Sequence, residues 1–287
     1  MQIPNSPNLS NLQKILAIVV LILLTTITIK AQVSVAPTAL FVDSDSRSCS
    51  MFVNNPTDHD VEVEISLMFG YSANDSTGKS YIEYKDSVMA EKYSLYPYIT
   101  AFPRKFVMKP KTQQTVRFVL KNTSKLPNGI YWSRIRTESG KTQEQLDSQN
   151  VEGVKVLVNM RMAMVTGVFY KKGDEYNTTK IAVGQLSTRE DTSKIYLVYD
   201  LSKQGDFPFF GTAKFKITTE SGKEVTTKEE SFSLYKSSLK AFEFEKKDFP
   251  AGKYKVEIEL TNENKIFPKE YLPKTSETKN VQQIEVK

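Results

Sequence analysis

The chain has 287 residues, 39% of them hydrophobic and 25% charged, with 12 Gly, 12 Pro and a formal net charge of +6. That is the composition of an ordinary globular protein, neither disordered nor collagen-like, and at about 100–200 residues per domain the length points to two domains. One Cys and one His exclude an intramolecular disulfide and a Cys/His zinc site, and leave any Ser-His-Asp or Cys-His mechanism dependent on His59.

Residues 15–29 form an uncharged apolar run of fifteen, with Lys14 before it and Lys30 after it. A membrane span needs about 20 residues, whereas a signal-peptide core is this short. Ala31 supplies the small residue for cleavage, so residues 1–31 are expected to be a signal peptide and Gln32 the first mature residue. Ile29, third before the cut, is larger than the ideal and leaves an uncleaved anchor as the alternative. Either way the remaining chain crosses a membrane. Export without disulfides suits a bacterial periplasm, with the cell surface or secretion as alternatives.

Helical periodicity is nearly absent after Gln32. Strand-like runs recur instead at 48–54, 61–69, 115–121, 130–137, 154–165, 194–201, 212–219, 231–234, 240–245 and 254–260, separated by Gly, Pro, Asn and Asp clusters. Val61-Glu62-Val63-Glu64-Ile65 and 254–260 alternate strictly, as half-buried antiparallel strands do. Asp43-Ser44-Asp45-Ser46 lacks the Gly and distal Glu of a calcium loop and reads as a polar turn. His59, in Asn54-Asn55-Pro56-Thr57-Asp58-His59-Asp60, reads as a solvated turn histidine, and Cys49 as a small core residue. Residues 71–93 are polar and read as a long insertion or a loosely connected hairpin; 138–153 read as a polar connection. Tyr93, Tyr96 and Tyr98 suit carbohydrate contact or, equally, strand packing. Lys and Glu intermingle without an Arg-rich block, a solvated surface that gives nucleic-acid binding no support.

A short repeat sharpens the architecture. Leu126-Pro127-Asn128-Gly129-Ile130-Tyr131 and Phe249-Pro250-Ala251-Gly252-Lys253-Tyr254 both read apolar-Pro-x-Gly-x-Tyr, each followed by alternating residues. The pattern fits the corner of an immunoglobulin-like sandwich, where a Tyr hydroxyl bonds back to nearby backbone. The expected fold class is therefore all-β: two immunoglobulin-like β-sandwich domains in tandem, residues 32–166 and 167–287, divided near Gly167.

The run 154–165 places Val154, Val156, Val158, Met160, Met162 and Met164 on one face. One reading packs that face into a sandwich core. The other makes the strand an exposed sheet edge that takes a partner by strand addition, main-chain bonds giving affinity and alternate side chains specificity. On that reading Val156, Val158, Met160, Met162 and Met164 are the partner-binding residues; no catalytic or metal-ligating residue stands out.

With these features in place, residues 32–170 resemble the periplasmic chaperones of the chaperone–usher pilus pathway, the PapD-like family. Residues 33–42 look like its opening strand. Phe106-Val107-Met108-Lys109-Pro110-Lys111 with Val116-Arg117-Phe118 looks like its Leu-x-Pro-Gly…Val-Arg-Leu stretch, and 158–170, ending in Phe169-Tyr170, like its donor strand. The resemblance implies a non-enzymatic chaperone that caps pilus, fimbrial or other surface-fibre subunits by β-strand donation, with Val158, Met160 and Met162 at the donating positions. It implies a protein subunit of a surface fibre as partner, an outer-membrane usher as a further one, and no cofactor, nucleic acid or small-molecule substrate. The family's two cations that anchor the subunit's C-terminal carboxylate fall at Ala39 and Gly167 here, with Arg161, Lys171 and Lys172 as nearby substitutes. The alternatives are a structural or adhesive surface module and, more remotely, an enzyme using carboxylates alone.

Overall fold

The computed structural model describes residues 33–142, 160–173, 178–272, 274–275 and 278–286. The expected signal segment lies outside the described residues, as do Val156 and Val158.

The architecture is all-β, built as two sandwiches. In the first, one sheet has the order β1 (Ser34–Ala36), β3 (Ser48–Asn54), β9 (Gln113–Leu120), β7 (Ile99–Phe102). The facing sheet has the order β2 (Ala39–Val42), β11 (Met162–Lys172), β10 (Gly129–Gly140), β4 (Val61–Met68), β8 (Lys105–Met108). The opening strand is thus split at Pro37: β1 pairs antiparallel with β3 and β2 crosses to run parallel to β11. Alternation explains the packing. Val61, Val63 and Ile65 of β4 point into a core shared with Val53, Val116, Phe118, Ile135 and Val168, while Glu62 and Glu64 face outward. Cys49 packs against this core as expected, and burial pushes its thiol up to about 12.

The second sandwich opposes β12 (Lys180–Glu190), β13 (Lys194–Gln204) and β16 (Ser238–Glu245) to β15 (Glu224–Leu234), β14 (Phe209–Thr219), β17 (Gly252–Thr261) and β18 (Thr278–Val286). Its core holds Phe209, Phe215, Phe242, Tyr199, Val256 and Ile258, all nearly inaccessible. Gly167 lies inside β11, opposite Arg134 of β10 and Ala39 of β2. First-sandwich pairing therefore continues to Lys172, past the residue at which the sequence reading divides the chain.

Both expected corners are present. The Tyr131 hydroxyl donates to the Pro127 carbonyl at 2.9 Å, and the Tyr254 hydroxyl donates to the Pro250 carbonyl. Gly129 and Gly252 have φ of +155° and +156°, a region that side chains disfavour, so the motif needs glycine there. His59 is exposed, and the turn around it is organised by buried Asn55. The Asn55 side chain donates to His59 O, Met108 O and Lys109 O, and accepts from Thr57 N–H and Oγ1. Asp43 Oδ1 accepts from the amides of Asp45 and Ser46, an ordinary polar turn.

Of the two readings of residues 71–93 the hairpin holds, β5 (Tyr71–Asn74) with β6 (Ser80–Glu83), and it is followed by a short helix the reading did not include, α1 (Ser87–Tyr93). The other polar segment needs correction. The expected polar connection starts later than 138, because Glu138, Ser139 and Gly140 complete the β10 ladder against β4 and β11.

Candidate partner-binding edge

β11 has β10 on one side along its whole length, from Gly129↔Lys172 to Ser139↔Met162. On the other side β2 covers only Gly167, Val168, Phe169 and Tyr170. Among the described residues no strand lies beside 162–166. The inward face of β11 registers this loss of cover. Tyr170 and Val168 are buried, Met164 is partly buried against the first core, Met162 is 42% exposed and the preceding Met160 is 72% exposed. On the outward face Val165 is 41% exposed. The sheet thus ends in an open backbone edge beside an uncovered flank of the core, lined by methionines, whose unbranched side chains adapt to varied apolar partners.

Of the five residues singled out in the sequence, Met160, Met162 and Met164 lie at this edge, while Val156 and Val158 are not described. The edge carries no charge between 162 and 166. Arg161 is drawn away from it, its guanidinium 3.8 Å from Glu62 of β4 and 3.8 Å from Glu138 of β10.

The cleft between the sandwiches differs from a cationic pocket. Ala39 and Gly167 are register partners, and Ala39 packs against the aromatic cluster that holds Phe169 and Phe210. A Cβ on Gly167 would lie 2.7 Å from Phe169 Cε2 and 3.1 Å from Arg134 Nη1, so the glycine allows both groups to close in. Arg134 donates from Nε to Gly70 O at 3.1 Å and lies against the buried Tyr235 hydroxyl. Of the proposed substitutes, Lys172 Nζ donates to the carbonyls of Thr123, Ser124 and Leu126, and Lys171 lines a surface pocket with Phe41, Asp43, Glu270 and Tyr271. Arg134, the β10 partner of Gly167, therefore puts a cation beside the Ala39–Gly167 pair. The sequence reading passed over it, although β10 periodicity places it on the same face as Ile130 and Trp132.

Around this point Trp132, Phe169 and Tyr71 of the first sandwich and its hairpin pack with Phe207, Phe210, Tyr235 and Tyr271 of the second half. Phe267 stacks on Phe210 with centroids 4.0 Å apart and meets Phe169 and Phe41 edge-on at 4.9 and 5.1 Å. Polar contacts reinforce the join. Asp86 caps α1 by accepting from Met89 N–H, and its other oxygen accepts from Tyr71 OH at 2.7 Å and Lys236 Nζ at 2.5 Å. Those bonds hold its carboxyl down at about 2. The hairpin tip reaches β16, where Ala241 N–H donates to Gly78 O at 2.9 Å. The tyrosines considered for carbohydrate contact do not share a face. Tyr93 stacks on Trp132 and donates to Asp206, Tyr98 packs on the first core, and Tyr96 alone is exposed.

No family model matches the chain, and no curated protein matches it. Similar solved structures include the YadV chaperone, at 13% identity and TM-score 0.43, covering 88% of this chain and all of that one. The Escherichia coli chaperone DraB is 13% identical with TM-score 0.40, over 89% of this chain and 97% of its own. A chain from the Salmonella enterica SafA pilin–SafB chaperone complex is 12% identical with TM-score 0.40, over 87% and 96%.

Proposed function

We propose that this protein is an exported, non-enzymatic chaperone for a surface-fibre subunit, which it holds by strand addition at the open edge of β11. The reading rests on one observation: among the described residues the edge at 162–166 has no neighbouring strand, and the methionines beside it grow more exposed towards its start. An extended segment laid there would gain main-chain hydrogen bonds and would cover Met160, Met162 and Met164, the two contributions strand addition requires. The chemistry is binding alone, without cofactor or nucleotide. The cleft beside Ala39 and Gly167 offers Arg134 in place of the paired cations of the resembled family. An alternative, a structural or adhesive module, draws on that same change in the cleft.

The test is isolation of the protein from its native envelope followed by mass spectrometry. The expected result is a one-to-one complex with a small β-rich subunit that is lost in Met160→Glu and in Met162→Glu while the circular dichroism spectrum stays native. Undiminished partner recovery in both folded variants overturns strand addition. Recovery of the unmodified protein as a lone monomer favours the structural or adhesive module.

A further inference from the structure

β11 is held unevenly. Residues 167–170 have β10 on one side and β2 on the other, whereas residues 162–166 have β10 alone among the described residues. A strand end paired on one side only opens readily, yet strand addition costs least when that end is already extended. A group of charged side chains on the outward face of the sheet meets this need.

The register explains the grouping. Gly140 of β10 pairs with Glu62 of β4, and the β10–β11 ladder reaches Ser139↔Met162. One further step sets Arg161 opposite Gly140, so Glu62, Gly140 and Arg161 form one row across the sheet. The Gly140 backbone does not have a positive φ, so conformation does not demand a glycine there. Space does: a Cβ would lie 3.0 Å from Arg161 Cγ and 3.6 Å from Met160 O. The bare position lets the Arg161 stem lie across β10 towards Glu62.

Arg161 Nη1 is 3.8 Å from Glu62 Oε2, and its Nε is 3.8 Å from Glu138 Oε2, at the next outward position of β10. Both carboxylates are largely shielded from solvent. Each also has its second oxygen on another cation, Glu62 Oε1 on Lys105 Nζ at 2.7 Å and Glu138 Oε1 on Arg136. The guanidinium therefore meets two acceptors that are already fixed in place, and its planar fork suits two at once.

We propose that Arg161, seated over Gly140, straps the start of β11 to β10 and β4 and keeps the open edge in strand form before a partner arrives. Arg161 is a positioning residue, acting through the backbone it holds. The strap's use rests on the reading of β11 as a strand-adding edge, where it lowers the ordering cost of association. It also draws the Arg161 charge onto the sheet face, away from the backbone edge that charges normally guard.

The test is hydrogen exchange on the full chain without partner, comparing wild type with Arg161→Gln, Arg161→Lys and Gly140→Val. Removing Arg161 leaves each carboxylate with its other cation, so no shielded charge is stranded, and a native circular dichroism spectrum checks the fold. In Arg161→Gln the 162–166 amides that bond to β10 should exchange about three- to five-fold faster, the scale of a partly shielded ion pair. Those of 168–170 should keep the wild-type rate. Gly140→Val fills the slot with every charge in place and should match Arg161→Gln. Arg161→Lys, with the charge but not the fork, should fall between that variant and wild type. Raising salt to about 1 M, where screening acts within about 3 Å, should speed 162–166 in wild type and leave Arg161→Gln unchanged, a response that packing alone would not give. Wild-type exchange in Arg161→Gln overturns the strap, as does an acceleration that salt does not reproduce in wild type. The outcome is separable from partner recovery. A salt-sensitive strap beside a lone monomer counts against strand addition alone, and unchanged exchange beside a recovered subunit counts against the strap alone.

Discussion

Removing the Phe267 ring would test whether the aromatic cleft couples the two sandwiches. Phe267 lies on the connection between β17 and β18, outside both sandwich ladders, so truncating it deletes no strand pairing. A buried Phe→Ala change costs about 3–5 kcal/mol, and partial burial of this ring reduces that to about 2–3. Of its three ring partners, Phe41 and Phe169 belong to the first sandwich and Phe210 to the second. Most of the loss therefore falls on the contact between halves, roughly 2 kcal/mol at about 0.5–1.5 kcal/mol per aromatic pair plus area. Trp132, the one tryptophan of the chain, sits in that contact, 4.8 Å from the Tyr93 ring and 4.9 Å from Tyr235. Urea unfolding of wild type should give coincident transitions by Trp132 fluorescence and far-ultraviolet circular dichroism. In Phe267→Ala the two should separate by about 1 M, given a slope of roughly 2 kcal/mol/M. Coincident transitions at an unchanged midpoint would refute the coupling argument.

Two further outcomes follow from the same contacts. Tyr131→Phe and Tyr254→Phe each remove one corner hydrogen bond, so each should lower stability by about 1 kcal/mol in chemical denaturation, and the two losses should add because the corners lie in different sandwiches. The Asp86 carboxyl is held below its ordinary value by Lys236 and Tyr71, so its stabilising contribution is present above pH ~4 and is lost as the pH falls towards 2. Asp86→Asn should therefore cost about 1–2 kcal/mol at pH 7, after allowance for the half-exposed lysine, and nearly nothing near pH 2. A wild-type-to-variant gap that does not change with pH in thermal denaturation would contradict this assignment.

Local alternation made much of the fold legible. Runs at 48–54, 61–69 and 240–245 fall on β3, β4 and β16 within two residues, because each has one face in a core and one in water. The Pro-x-Gly-x-Tyr corners were legible for a different reason: glycine backbone and tyrosine hydroxyl are both specified by residue type. β12 and β18 were missed because their residues answer an edge. Thr278, Asn280 and Gln282 replace the apolar half of the alternation with groups that donate to Ile181 O, Val183 O and Gly184 O of β12. The docking of residues 71–93 was equally hidden. Asp86, Lys236, Gly78 and Ala241 meet only through tertiary structure, and nothing in their local sequence distinguishes them from solvated turn and strand residues. At the candidate site, the Met160, Met162 and Met164 face was visible from spacing of two. The uncovered edge beside it was not, since it depends on where β2 begins, at Ala39 opposite Gly167.

The edges of the two sandwiches present the same physical problem with different answers. An unpaired strand edge invites another strand, and charged side chains or covering groups normally prevent it. In the second sandwich the β12 side is covered by the Thr278, Asn280 and Gln282 row. The β15–β16 side is bridged by lysines, Lys228 donating to Glu243 O and Lys240 lying 3.5 Å from Glu230, with the hairpin tip added at Ala241. In the first sandwich the start of β11 has neither protection among the described residues: its parallel neighbour β2 begins only opposite Gly167, and Arg161 is turned to Glu62 and Glu138 on adjoining strands. The chain therefore has ways to guard an edge and uses them beside β12, β15 and β16. Leaving Met162 and Met164 beside backbone with no partner among the described residues exposes an apolar surface that an added strand would cover, which is why strand addition is proposed there.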